Sequence, residues 1–344
     1  MLTTCSKMVR QLLQPIEEKA ITSSDLGDAF PPNCTDDALN GEDDEIPIVD
    51  YSMLINFDNP AQRSSAIENL SKACLNYGFF IVKNHGIADN LITRVYEGLL
   101  AFFDLAEEEK RQYETISPSD RIRWGKGDTN HVSREFLKIA AHPQFHCPTK
   151  PLGLGEVLQE YSQNLREVGL ELLRGIEKSL GLEDLYIEKT MKLGTGYNFF
   201  TANDYPQRLH SQKRIGQFPH CDPSLLILLI QNVGGGLQLE HRGKWLNANI
   251  EPSWIIVNVA DHLEILTNGK YKSALHRVVV NNEERRVTLP MFLGPSLDAL
   301  VCPSPQFVDE NHPPRYVGIT YEDYLEANQH HIIEGKSCMQ QIRL

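Results

Sequence analysis

The phrase FPHCDPSLLILLI sets His220 and Asp222 two residues apart at the head of an apolar run that reads as a strand. Residues i and i+2 of a strand share a face, so both side chains are expected to reach one ion. His276 lies much later, in the strand-like run ALHRVVVN at 274–281. Two imidazoles and one carboxylate on one face of an octahedral ion leave the remaining positions open to other ligands. The triplet by itself also fits ordinary packing, and a second observation has to carry the reading further.

Arg286 and Thr288 supply it, ten and twelve residues after His276 and again two apart in a strand-like run, RVTLPMF at 286–292. A guanidinium grips a carboxylate through two parallel hydrogen bonds, and a neighbouring hydroxyl adds another. An organic acid that chelates a metal through a keto-acid end needs such a grip at its far end. A zinc hydrolase would leave Arg286 and Thr288 without a task. Arg285 alternates to the opposite face and is expected to be solvated. Cys221, between the first two candidate ligands, is expected to point away and pack. His85 reads as a turn or packing residue, His330 and His331 as exposed, and Trp124, Trp245 and Trp254 as core or pocket wall.

Short strands must position these groups. After residue 190 the chain runs through SLLILLIQ at 224–231, GLQLE at 236–240 and WIIVNVA at 254–260, then the two runs above, with Gly, Asn and Pro between them. Such spacing suggests a sandwich or barrel, with a cupin-like jelly roll as one solution. Upstream, Tyr161, Leu165, Val168, Leu172, Ile176 and Leu180 recur at helical spacing, predicting one long amphipathic helix from Leu154 that Gly181 stops. Asn59-Pro60 opens another helix, with Ile67, Leu70, Cys74 and Leu75 inward and Gly78 at its end. A buried strand, Phe79 to Val82, follows it. The next helix carries Leu91, Ile92, Val95, Leu99 and Phe102 on one face and closes in EEEK at 107–110. Residues 1–45 read as a loose arm, since 20–45 lacks apolar periodicity, and order begins at the strand from Ile46 to Val49.

At 344 residues, 41% hydrophobic and 23% charged, the chain has the composition of a globular protein with a sizeable core. A net charge of -13 with no long basic run argues against nucleic acid or an anionic membrane as partner. Seven scattered cysteines without a C-x-x-C suit reduced thiols. With no signal-peptide core near the N-terminus and no membrane-length apolar stretch, a cytoplasmic monomer is expected.

HCD at 220–222, GLQLEHRGKW at 236–245, NGKYKSALHRVVVN at 268–281 and RVT at 286–288 together resemble the plant 2-oxoglutarate and iron(II)-dependent dioxygenases. IPIVDYS at 46–52, YGFFIVKNHGI at 77–87 and FFDLAEEEK at 102–110 look like the leading motifs of that family, so the resemblance spans about residues 45–344. It implies an α+β fold with a double-stranded β-helix, a distorted jelly roll, flanked by helices. The expected division is a helical and strand region at 46–190, a catalytic core at 191–310 and a C-terminal helical segment at 311–344. The resemblance makes His220, Asp222 and His276 the ligands of Fe(2+), with Arg286 and Thr288 on the distal carboxylate of 2-oxoglutarate. The family's Asn-x-Tyr-Pro motif matches at 203–206, so Asn203 and Tyr205 complete the co-substrate site. Thr288 stands where the family usually has Ser, Ala260-Asp261 where it has Gly-Asp, and the stretch 207–218 departs from its usual Cys-Pro turn.

The implied reaction consumes O2 and 2-oxoglutarate, releases succinate and CO2, and oxidises a largely apolar small molecule of plant specialised or hormone metabolism. Hydroxylation is the default; desaturation, ring closure and demethylation follow from the same start. A binding protein that keeps the fold without turnover is the alternative. Phe218, two before His220, and Phe292, four after Thr288, are expected to line the substrate pocket, with Phe136 added by resemblance alone. Lys138 or Lys213 is the candidate polar anchor.

Overall fold

The apolar residues of the strands fall on both faces in some places and on one in others, and this pattern sorts the chain into its layers. The computed structural model describes residues 45–117, 120–128, 133–207, 214–233, 235–280, 284–332 and 338–344. The expected arm at 1–45 thus lies outside the described residues except Glu45, as do Lys213 and the altered stretch at 208–213.

Among the described residues twelve strands form two sheets, and a short pair, Leu300–Val301 with Ile319–Thr320, lies apart from them. The twelve are β1 (Ile48–Asp50), β2 (Phe79–Lys83), β3 (Ile122–Asp128), β4 (Ser133–His142), β5 (Asn198–Tyr205) and β6 (Arg214–His220). The rest are β7 (Leu226–Gln231), β8 (Leu237–His241), β9 (Lys244–Asn247), β10 (Ile255–Val259), β11 (His276–Val280) and β12 (Arg286–Leu293). The larger sheet has the order β1-β2-β10-β7-β12-β5-β4-β3 and the smaller β6-β11-β8-β9. All described pairings are antiparallel except β1 with β2. This is a jelly roll whose larger sheet has recruited strands from the N-terminal half of the chain.

The larger sheet is covered on both faces. Val287, Leu289, Met291 and Leu293 of β12, with Leu226, Leu228 and Ile230 of β7, join one core with the helices. Alternation sends Arg286, Thr288, Pro290 and Phe292 of β12, and Ile227 and Leu229 of β7, toward a cavity on the other face. At the other end of the sandwich Phe79, Ile81 and Ile256 pack against Leu237, Leu239 and Val278 of the smaller sheet.

Three helices seal the outer face: α1 (Pro60–Asn76), α2 (Asp89–Phe103) and α3 (Leu154–Ser179). In α3 the predicted stripe Tyr161, Leu165, Val168, Leu172 and Ile176 is buried, and each such side chain contributes roughly 1.5–3 kcal/mol. Gly169 lets the helix lie against the sheet, since a Cβ there would sit 2.8 Å from Leu293 Cδ2. In α1 the Asn59 side chain caps Gln62 N at 3.2 Å, as its sequence suggests. Leu75, expected inward, is 50% exposed, because it lies five residues after Leu70 and so turns off the stripe that Ala66, Leu70, Ala73 and Cys74 form. The helix expected to close in EEEK ends at Phe103, and Glu107–Lys110 is a separate turn whose buried Lys110 pairs with Glu135 at 2.7 Å.

A fourth helix, α4 (Tyr321–Ile332), follows the last strands. Side chains of His330 and His331 lie outside the described residues. Among the described residues no helix is long and apolar enough to cross a membrane.

Gly78 links α1 to β2 with φ +75°, and a Cβ there would lie 2.5 Å from the Lys272 carbonyl oxygen. A left-handed backbone and a backbone neighbour leave an added methyl no escape. Gly78→Ala is therefore expected to lower stability by about 2 kcal/mol or more. Thermal unfolding checks it; a Tm indistinguishable from the parent's contradicts the packing described.

Candidate active site

Strand pairing, rather than a shared strand, brings the first three candidate residues together. His220 ends β6 and His276 begins β11, and the two are direct cross-strand partners with ring centroids 4.1 Å apart. Asp222 lies beyond the end of β6, in the turn to β7, which corrects the expectation that it shares a strand with His220. Its carboxylate oxygens lie 3.5 Å from His220 Nε2 and 3.3 Å from His276 Nε2. The turn is held by backbone hydrogen bonds from Asp261 N to the Asp222 carbonyl at 3.0 Å and from His262 N to that of Ser224 at 2.8 Å.

Each histidine uses its other nitrogen on the backbone. His220 Nδ1 donates to the Phe218 carbonyl at 2.7 Å and His276 Nδ1 to that of Ala274 at 3.0 Å. These bonds fix the tautomer and leave both Nε2 lone pairs facing the carboxylate, as metal-binding imidazoles require. Burial, then the neighbouring His276, pushes His220 down to about 4, so its ring is neutral near pH 7. Gln217 Nε2 donates to His220 Nε2 at 3.0 Å, and its Oε1 accepts from Arg134 at 2.9 Å. Three donor atoms within 4.8 Å of one another form a set that could hold a metal ion.

The second group lies on the facing sheet. Arg286 is 4% exposed, with Nε donating to the Gly235 carbonyl at 3.1 Å and Nη2 to Gln231 Oε1 at 2.8 Å. Its Nη1 is buried with no hydrogen-bond partner among the described residues. Asn203 donates to Thr288 Oγ1 at 3.1 Å while its own Oδ1 is likewise unpartnered. The guanidinium lies over the Tyr205 ring at 5.2 Å from its centroid. A buried charge without a counter-ion is costly. Iron(II) suits a donor set of two imidazoles and one carboxylate, and a carboxylate suits the unpartnered guanidinium nitrogen, so these residues fit the metal and co-substrate that the sequence implies.

Both groups line one cavity of about 280 Å³. Its described lining includes Phe136, Lys138 and Phe292 as expected, but not Phe218. Between the pairs His276 with His220 and Val278 with Gln217, β6 carries one residue more than β11, and this bulge brings Gln217 to the cavity. Cys221 also lines the cavity instead of pointing away, because it has already left the strand. Arg285 is not simply solvated: it grips Asp204 through Nε and Nη2, both at 2.9 Å, and Asp104 through Nη1 at 2.9 Å. Sequence reasoning missed Phe199, whose ring stacks on Phe292 at 4.2 Å, together with Arg123 and Arg134 of the lining and Gln231, which accepts from Arg286. Alternation from Asn203 would have pointed to Phe199 had β5 been recognised. His85 is a packing residue, as expected, with Nε2 donating to the Ser253 carbonyl at 2.7 Å.

Comparison with known proteins gives the family. A family profile described as the 2OG-Fe(II) oxygenase superfamily matches residues 196–295, and one described as non-haem dioxygenase in morphine synthesis N-terminal matches 46–160. The chain is 37% identical to 2-oxoglutarate-dependent dioxygenase 19 of Oryza sativa subsp. japonica, over 87% of this chain and 90% of that protein. It is 32% identical to Flavanone 3-dioxygenase 2 of the same organism, over 88% of each. Among solved structures, JOX2 in complex with 2OG, Fe and JA superposes with a TM-score of 0.72 at 25% identity, covering 92% of this chain and 91% of that one. With the His-Asp-His cluster, the arginine with its unpartnered Nη1 and the jelly roll already in place, these likenesses establish that the chain belongs to the 2-oxoglutarate and iron(II)-dependent dioxygenases.

Proposed function

We propose that His220, Asp222 and His276 hold iron(II), and that Arg286, Thr288, Asn203 and Tyr205 hold the distal carboxylate of 2-oxoglutarate. The observation that carries this reading is the buried Arg286 Nη1, which has no partner among the described residues and lies in the same cavity as the three donors. Bound iron supplies the oxidative decarboxylation of 2-oxoglutarate by O2 and the oxidation of a substrate C–H bond. The protein's share is positional. Each imidazole offers its Nε2, Asp222 brings a carboxylate, and Arg286 orients the co-substrate from the opposite sheet. Presence of the whole donor set favours this reading over a protein that binds without turnover.

The organic substrate is proposed to be a compact, largely apolar molecule, hydroxylated by default. About 280 Å³ is at the small end of ligand pockets, and 2-oxoglutarate occupies part of it. Phe136, Phe199 and Phe292 give it flat apolar walls. The chain is further proposed to act as a cytosolic monomer with residues 191–310 as its catalytic core and without nucleic-acid or membrane partners, a reading that its net charge of -13 supports.

Replacing His220, Asp222 or His276 by Ala is expected to cut succinate formation by roughly a hundredfold or more, with less iron retained per chain after gel filtration. Near-normal turnover and iron content in all three variants would remove the metal assignment. Arg286→Lys, which keeps the charge but loses the planar fork, is expected to raise KM for 2-oxoglutarate by about tenfold. An effect confined to the organic substrate would mean that the clamp lies elsewhere. Phe292→Ala removes one half of the stacked pair with Phe199. It is expected to raise KM for the organic substrate or shift the position oxidised, while iron content and KM for 2-oxoglutarate stay near those of the parent. A large fall in Tm with unchanged substrate kinetics would make Phe292 a core residue.

A further inference from the structure

We infer that the organic substrate carries a carboxylate or equivalent anion, and that Arg123 and Lys138 bind it; the inference rests on the iron and 2-oxoglutarate reading of the same cavity. Arg123 and Lys138 are direct cross-strand partners in the β3–β4 hairpin, and both line the cavity. Like charges set opposite each other on a sheet repel. Neither makes a hydrogen bond or ion pair within the described residues; Tyr197 and Asp120 act on Arg123 only at longer range.

Charge balance leaves lining cations unmatched, and hydrogen bonding then sets Arg123 and Lys138 apart from Arg134. Iron(II) and Arg286 are matched by Asp222 and the two carboxylates of 2-oxoglutarate. Asp222 is the single acidic residue in the described lining, against Arg123, Arg134, Lys138 and Arg286. Arg134 donates to the neutral Gln217 Oε1, which gives it a polar partner but no counter-charge. Of the three unmatched cations, Arg123 and Lys138 have neither a counter-charge nor a hydrogen-bond partner among the described residues, in a chain whose net charge is -13. Burial, with Arg123 adding to it and Asp222 opposing, drives the Lys138 ammonium well below the ordinary lysine range. An anion arriving there would relieve both the burial cost and the repulsion.

The aromatic wall gives the molecule its shape. Lys138 Nζ lies 3.4 Å from the Phe199 ring centroid and 5.9 Å from that of Phe292. Phe136 and Lys138 are two apart on β4 and share its cavity face. A flat or cyclic body can rest on the rings with its anionic end on the hairpin. The interaction with Phe199 contributes to holding Lys138 but leaves its charge unneutralised.

The test uses the full chain with manganese(II) in place of iron and saturating 2-oxoglutarate, so that binding is read without turnover. Phenylacetate, cinnamate and 2-naphthoate are titrated beside their primary amides, which match them in shape but lack the charge. At least one acid is expected to bind roughly tenfold or more tightly than its amide, the effect of one charge-assisted contact. Lys138→Met and Arg123→Gln are each expected to reduce that preference to about twofold or less, while Lys138→Arg keeps it. An absence of acid preference throughout the wild-type panel overturns the inference and requires no variant to fold. Preference that survives in the double variant also overturns it, as does loss of 2-oxoglutarate affinity in the variants with acid preference intact. Conversion of 2-oxoglutarate to succinate by the iron-loaded wild type, with no organic substrate added, tests the underlying reading separately.

Discussion

Asp222 has to sit between two imidazoles without belonging to the strand of either, and much of the surrounding structure serves to hold it there. Backbone N–H groups of Asp261 and His262 grip its turn. The short helix that they begin is tied to the C-terminal segment, because Tyr324 donates to Asp261 Oδ2 at 2.6 Å. Tyr321 reaches Ser224 of the turn at 2.9 Å. Glu264, on the same short helix, accepts from Lys272 at 3.2 Å, the Ser273 amide at 2.7 Å and Tyr316 at 2.5 Å. Buried polar groups of this kind are stable only when their partners are present, so the last part of the chain fixes the geometry of a site built from its middle.

The larger sheet meets a second demand, since it must be dry on one face and chemically active on the other. Helices α1 to α3 supply the dry face, and with it the rigidity that holds Arg286 opposite the histidines across the cavity. Polar groups on the inner face are kept in place by one another: Asn203 by Thr288, and Arg286 by Gln231 and the Gly235 carbonyl. What those bonds leave unsatisfied is Arg286 Nη1 and Asn203 Oδ1, the groups proposed to meet the co-substrate.

Residue type and spacing single out the proposed donors and clamp in the sequence, because few side chains can do either task. The expectation that Asp222 shares a strand with His220 fails although the two side chains do meet, since periodicity does not reveal where β6 stops. Phe218 was misplaced for a related reason: one extra residue in β6 exchanges its place with that of Gln217. Strands β3, β4 and β5 were harder to find, because Arg134, Lys138, Thr201 and Asn203 interrupt their apolar runs on the cavity side. The substitutions that obscure a strand in the sequence are here the ones that equip the cavity. Tertiary pairing hid the rest; nothing near Arg285 in sequence announces Asp104 or Asp204.

That last pairing bears on how β12 finds its place. Two adjacent arginines on one strand are a hazard, since a slip of one residue sends Arg285 into the cavity and Arg286 out of it. The native register sets Arg286 opposite Tyr205 and Val287 opposite Asp204 on β5. Only Arg285 then reaches the two carboxylates outside the cavity, Asp204 and Asp104, one from β5 and one just past α2. The outer arginine thus acts as an alignment key: it gives the folding chain a reason to reject the neighbouring register before any ligand is present to reward the correct one.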